Sequence, residues 1–174
     1  AVRIPLLVSQ LAKENYEIRC VLSKNAEKLI KPLSLSILSR NPCILENDQW
    51  SNIQSTPLHI ELCNWADILI IAPLTATTLS KWVTGNADGL IPSILMANIK
   101  PIIVAPAMNT QMWLNKAVQK NYENLQNYEN VLSLQPSEGL LACDAIGIGK
   151  IPPNDLIQLA LEFIASHKQN EYRK

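Results

Sequence analysis

Apolar residues recur along this chain in two rhythms, one helical and one continuous. In residues 4–12, Leu7, Val8 and Leu11 return at helical spacing, and Glu17-Ile18-Arg19-Cys20-Val21-Leu22 then reads as a strand ending at Ser23, with a helix expected just after it. Residues 67–72 form a near-continuous apolar run, the pattern of a strand covered on both faces, and Pro73 stops it. Thr75 to Thr78 open a helix that runs through Trp82. Residues 85–98 are expected to form a second crossover helix, interrupted near Pro92, that leads into the strand Ile102-Ile103-Val104. A helix over about 112–126, a strand around Val131-Leu132-Ser133-Leu134 and a helix over 154–166 complete the order.

Strand and helix therefore alternate, which with right-handed crossovers predicts an α/β fold: a doubly wound parallel sheet in three α/β/α layers. A chain of 174 residues, 48% hydrophobic, is long enough for one such domain and short for two. Residues 1–167 are expected to form that domain, and residues 168–174 a loose polar tail.

Charge and cysteine usage narrow the function classes. Lys+Arg and Asp+Glu both number 15, so the chain lacks the basic field of a nucleic-acid binder. No apolar stretch reaches the roughly 18 to 20 residues of a membrane span, and the first residues lack the order of a signal peptide, so a cytoplasmic protein is expected. Cys20, Cys43, Cys63 and Cys143 are scattered without the spacing of a zinc site or a disulfide scaffold, and no metal is expected.

Three strands end in polar turns: at Ser23, at Leu74-Thr75-Ala76-Thr77-Thr78 and at Ala107-Met108-Asn109. In a parallel sheet such turns share one edge, where open α/β sheets bind ligands. Hydroxyls and first-turn amides attract anions and polar ring edges, and the small Ala76 and Ala107 let a flat ligand approach, so a phosphate-bearing cofactor fits. Hydroxyl N-caps are also common without any ligand.

The octet Pro106-Ala107-Met108-Asn109-Thr110-Gln111-Met112-Trp113 leaves the strand in a way that more strand cannot explain. Met and Trp fill cores and Asn-Thr caps helices, so packing accounts for Met108, Met112 and Trp113 one at a time. The whole octet matches the Pro-x-Met-Asn-x-x-Met-Trp signature of the flavin-dependent cysteine decarboxylases, and its Pro-Ala form resembles the phosphopantothenoylcysteine decarboxylases. Three more blocks carry the resemblance. They are His59-Ile60-Glu61-Leu62 running into Trp65-Ala66-Asp67, the Ala72-to-Thr78 turn, and Leu141-Ala142-Cys143 followed by Gly147-Ile148-Gly149-Lys150.

The resemblance implies a Rossmann-like flavoprotein that uses FMN to convert 4′-phosphopantothenoylcysteine into 4′-phosphopantetheine in coenzyme A synthesis. It places Ser23, Pro73, Leu74, Thr75, Ala76, Thr77, Thr78 and Ala107 at the cofactor. It makes His59 an active-site histidine, Asn109 the residue holding the substrate carboxylate, and Cys143 the thiol of a flexible flap. Met112, Ala142 and Lys150 join Asn109 as substrate contacts. A homotrimer or dodecamer is implied, with a phosphopantothenate-cysteine ligase as fused or separate partner. The family's first strand and its glycine-serine phosphate turn are expected before Ala1, so the 174 residues alone are expected to bind FMN poorly.

The chemistry asks for these residue types in its own right. A cysteine-amide carboxylate has no neighbouring electron sink, so oxidation of the thiol to a thioaldehyde must precede loss of carbon dioxide; the enethiolate formed is then reduced again. That return needs a proton donor, and a thiol with an ordinary pKa of about 8.5 is protonated at neutral pH, which suits Cys143. Flanked by Leu141 and the glycines Gly147 and Gly149, Cys143 reads as part of a mobile lid. His59, with an ordinary pKa of about 6.5, suits transfer of a substrate proton in either direction. A lone histidine is otherwise often a cap or a core residue.

Three positions depart from the pattern. Thr77 replaces a commoner Asn, Gly89 an Asn after Ala87-Asp88, and Asp144 the Gly after the flap cysteine; a carboxylate there disfavours thiolate and stiffens the turn. A non-catalytic regulatory flavoprotein, a peptidyl-cysteine decarboxylase and a flavin prenyltransferase share parts of this pattern. The first tends to lack the flap cysteine and the last lacks the Asn-and-Cys pairing.

Overall fold

A computed structural model of the protein describes residues 1–51, 55–141 and 146–171, with side chains through residue 166. The chain begins with α1 (Ile4–Lys13), β1 (Val21–Leu22), α2 (Pro32–Ser39), β2 (Ile44–Leu45), a 3-10 turn (Glu46–Trp50) and α3 (Leu58–Trp65). It continues through β3 (Leu69–Leu74), α4 (Ala76–Val83), α5 (Leu90–Ala97), β4 (Ile102–Pro106), α6 (Thr110–Trp113) and α7 (Lys116–Gln126). It closes with β5 (Val131–Ser133), β6 (Ser137–Leu140), β7 (Ile146–Lys150) and α8 (Asn154–Glu171). These elements form two compact units, Ala1–Trp65 with Ala87–Asn98, and Ala66–Asn86 with Ile99–Lys174.

The second unit is built on a parallel sheet ordered β3-β4-β5, in register at Leu69 with Ile102 and at Ile103 with Leu132. All five residues of β4 are buried, because the strand pairs on both edges and is packed by α8, whose Ile157, Ala160 and Leu161 are buried. Each fully buried Ile, Val or Leu among these contributes about 1.5 to 3 kcal/mol of transfer free energy. At the end of β3, Ala72 and Pro73 stand against Ala105 alone, and the Ala72-Pro73 peptide is cis. Proline has no N–H for the ladder, which accounts for the shift in register there. Two edge-on aromatic pairs fix the helices: Trp82 on Tyr128 at 5.7 Å and Trp113 on Tyr122 at 4.8 Å.

In the first unit, Pro5 and Pro32 occupy the first turns of α1 and α2, where their missing N–H costs nothing. The two helices pack together, and Val8, Leu22, Ile30 and Leu35 form a core beside the parallel pair β1-β2. A second core joins Leu58, Leu62 and Cys63 of α3 to Leu90, Ile94 and Leu95 of α5, with the Cys63 thiol donating to the Ile94 carbonyl at 3.4 Å.

The expected α/β alternation of parallel strands and helices is present, with local differences, one being that β3 runs through Pro73 to Leu74 and is not stopped there. No helix follows Ser23 directly: its hydroxyl accepts from Ala26 N–H at 3.3 Å and opens only a turn, since Lys31 precedes Pro32 and is held extended with ψ 130°. The helix expected over 112–126 is two helices, because Asn115 caps α7 by accepting from Ala117 N–H at 2.9 Å. Pro92 lies in the first turn of α5 and interrupts nothing, for α5 starts at Leu90. The strand expected over 17–22 forms a ladder only at Val21 and Leu22.

Candidate functional site

Within the second unit, three segments converge beyond the carboxyl ends of β3 and β4. The chain leaves β3 into α4, whose N-cap is Thr75; its Oγ accepts from Thr78 N–H at 3.3 Å and lies 3.2 Å from the Thr78 hydroxyl. The amides of Ala76 and Thr77, in the first turn, have no acceptor within the helix. Thr75 and Thr77 are exposed, while Leu74 is fully buried and serves the site only through its carbonyl. That carbonyl accepts from Ala107 N–H at 3.1 Å, which ties the turn after β4 to the turn after β3.

Asn109 is the N-cap of α6. Its side-chain oxygen accepts from Gln111 N–H at 2.8 Å, and its own carbonyl accepts from Trp113 N–H at 2.9 Å. Four residues make a marginal helix alone, so the cap and the burial of Trp113 hold it. Asn109 is exposed, and its side-chain oxygen is taken up by the cap. Met112, on the same short helix, is 48% exposed.

The antiparallel hairpin β6-β7 closes on this turn, with Met108 N–H donating to the Gly149 carbonyl at 2.8 Å. A Cβ on Gly149 would overlap the Met108 carbonyl, and its φ of +127° also requires glycine. A Cβ on Gly147 would overlap the Thr110 hydroxyl. Read in sequence as signs of lid mobility, these glycines are positions of close backbone approach that seat the hairpin on the octet. The Thr110 hydroxyl oxygen is buried with no hydrogen-bond partner among the described residues, and sequence reasoning passed it over as an ordinary residue after a cap.

Lys150 ends β7 half-buried, its aliphatic stem and ammonium lying along Gly139. Ala142 and Cys143, with Asp144, lie outside the described residues; the flanking pair Leu140 and Ile146 is in register across the hairpin.

Ser23 and His59 belong to the first unit. Ser23 directly follows β1 and caps the turn described above. His59 is the second residue of α3, half-buried, with its Nδ1 buried and lacking a partner among the described residues. The described residues contain no group of three or more metal-ligating side chains, and no described helix is long and apolar enough to cross a membrane.

A protein-family profile described as Flavoprotein matches residues 1–165. The chain belongs to the flavoprotein family. This flavoprotein is 32% identical over 160 residues to the coenzyme A biosynthesis bifunctional protein CoaBC of Bacillus subtilis, an alignment that covers 91% of the chain and 39% of the relative. It thus spans about two fifths of the length of such curated relatives. Among solved structures it is similar to a PPC decarboxylase cysteine-to-serine mutant complexed with pantothenoylaminoethenethiol, at 32% identity and a TM-score of 0.82, covering 95% of this chain and 91% of that one. The FMN binding protein AtHal3 gives 33% identity and a TM-score of 0.78, covering 93% and 88%. The α/β fold of the flavoprotein is therefore that of these structures.

Proposed function

We propose that the chain is an FMN-dependent decarboxylase that converts 4′-phosphopantothenoylcysteine into 4′-phosphopantetheine and carbon dioxide, a step of coenzyme A biosynthesis. The observation that carries this reading is the capped turn after β4. Asn109 is exposed in this turn and its side-chain oxygen is engaged by Gln111 N–H, which keeps that acceptor from facing a substrate carboxylate, and an amide NH2 is a donor of the type a carboxylate takes. The same turn is bonded through Met108 to the strand that follows Cys143 in sequence.

The residues fit a flavin. Thr75, Thr77 and Thr78 offer hydroxyls at the start of α4 beside first-turn amides, and Ala76 and Ala107 leave room for a flat ring. These residues, with Ser23, Pro73 and Leu74, would hold FMN. Bound there, FMN supplies the two-electron oxidation that activates the thiol-bearing carbon and the reduction that restores it.

The protein's own groups do the rest. Asn109 orients the carboxylate, and Met112, Ala142 and Lys150 line the substrate. His59, whose buried Nδ1 has no partner among the described residues, handles a substrate proton. Cys143 delivers a proton to the decarboxylated enethiolate. Residues 1–167 serve as the decarboxylase domain ahead of a polar tail at 168–174. The protein acts in the cytoplasm as a homotrimer or a multiple such as a dodecamer, with a phosphopantothenate-cysteine ligase, fused or separate, supplying its substrate.

The test is to give the FMN-loaded protein 4′-phosphopantothenoylcysteine and follow products by mass. Wild type is expected to release 4′-phosphopantetheine, and Cys143→Ser to lose at least about a hundredfold of that product while an oxidised, decarboxylated intermediate accumulates. Bound FMN with no turnover would overturn the assignment.

A further inference from the structure

Cys20 and Cys43 take no part in the proposed reaction, yet the first unit sets them against each other. In the parallel ladder Val21 pairs with Ile44 and Leu22 with Leu45, and Ile44 N–H donates to the Cys20 carbonyl at 2.8 Å. That register places Cys20 directly opposite Cys43. Cys20 shares a strand face with Leu22, and Cys43 with Leu45, by the two-residue period. All four pack on the core of Val8, Leu22, Ile30 and Leu35, either within it or against it, so both thiols lie on the same side of the strand pair. Neighbouring parallel strands run about 4.8 Å apart, inside the roughly 4.4 to 6.8 Å between α-carbons that a disulfide spans.

We propose that Cys20 and Cys43 form a dithiol site that a low-mass disulfide of the glutathione type converts into a cross-strand disulfide joining β1 to β2. One thiolate attacks the small disulfide, forming a mixed disulfide and releasing one small thiol. The second thiolate then attacks the protein sulfur of that mixed disulfide and releases the other. Two protein S–H bonds and one small S–S bond are lost; one protein S–S bond and two small S–H bonds are gained, so the two electrons given up by the protein reduce the reagent.

The surroundings set the rate. Burial pushes the Cys20 thiol up to about 11, partly opposed by the Ser39 hydroxyl. Burial also pushes Cys43 up to about 11, with Cys20 and the carboxylates of Glu27 and Asp48 adding to the rise. Few thiolates exist at neutral pH, so the bond forms slowly, and because thiols of high pKa are poor leaving groups it is also reduced slowly. Both strand ends are shallow enough to react, since Cys20 and Cys43 are half-buried where Cys63 is buried. The bond would staple the strand that runs directly into Ser23.

The test is to incubate the whole protein with oxidised glutathione at alkaline pH, alkylate the remaining thiols, digest with trypsin and map the peptides by mass. The expected product is peptide 20–24 linked to peptide 41–81 with an alkyl label left on Cys63. Cys43→Ser should abolish the link and leave glutathione on Cys20, Cys20→Ser should do the converse, and Cys63→Ala should leave the link intact, with circular dichroism showing all three folded. Glutathione on both Cys20 and Cys43 without a link, no reaction at either, or a link that forms only in urea would each overturn the proposal.

Discussion

β4 and β1 are both apolar and both paired in parallel, but they are strands of different kinds. β4 is held on both edges, and none of its five residues sees solvent to any degree that matters. β1 pairs only with β2 among the described residues, over two positions, and Val21 stays half-buried. An apolar run identifies a strand where faces and edges are all covered; where they are not, the partner decides how far the ladder extends. β2 is only two residues long, bracketed by Pro42 and the 3-10 turn at Glu46, so the ladder stops although the strand pattern reaches back to Glu17.

Truncation is the widest break in this comparison. Ile103→Ala should cost about 3 to 4 kcal/mol, the range for an aliphatic side chain removed from a core that cannot collapse, whereas Val21→Ala should cost about 1 kcal/mol. Urea denaturation measures both, and equal losses would erase the distinction.

Next in size is the seat of the hairpin. Gly149→Ala should cost about 2 kcal/mol, from a backbone conformation closed to L residues and from overlap with the Met108 carbonyl. Gly147→Ala meets only the Thr110 side chain at an ordinary φ, so its smaller loss should largely vanish in a Thr110→Ala background, a coupling that a double-mutant cycle reads directly.

Asn109 separates stability from chemistry. Asn109→Ala removes the cap of α6 and should cost about 1 kcal/mol as well as turnover. Asn109→Asp keeps a cap oxygen for Gln111 N–H while placing a negative charge where a carboxylate should bind, so stability should hold as turnover disappears.

The smallest effect at ordinary pH is the titration of the two facing thiols. Unfolded cysteines ionise around 9.0, while burial holds Cys20 and Cys43 neutral to about 11. The unfolded chain therefore releases protons first, and stability should be level below about pH 9 and decline between there and about pH 11. Thermal unfolding across that range checks the sign, and Cys20→Ser should flatten the decline.

Sequence pattern conveyed the α/β alternation, the buried β4 and the octet, because each depends on local apolar periodicity or on residues adjacent in the chain. The Asn109 and Asn115 caps are local too, yet reading residues 112–126 as one helix missed the second, since a polar residue inside a helical pattern does not announce that it caps. What stayed hidden depends on distant approach. Gly147 and Gly149 looked like freedom until Met108 and Thr110 were seen against them, and nothing in residues 137–150 signals a hairpin seated on a turn some forty residues earlier. The Thr110 hydroxyl became notable only when its burial, without a partner among the described residues, was visible.

The 3-10 turn and α5 carry a consequence for how this sequence can change. Glu46 Oε1 accepts from Leu90 N–H at the start of α5, and it occupies the space a side chain at residue 89 would need, where φ is +115°. Replacement of Gly89 by asparagine would displace the Glu46 carboxylate from the Leu90 amide and strain a backbone held at φ +115°, and loss of Glu46 would leave that amide without its side-chain acceptor. A change at residue 89 is therefore felt first by a carboxylate more than forty positions away, so these two positions do not vary independently.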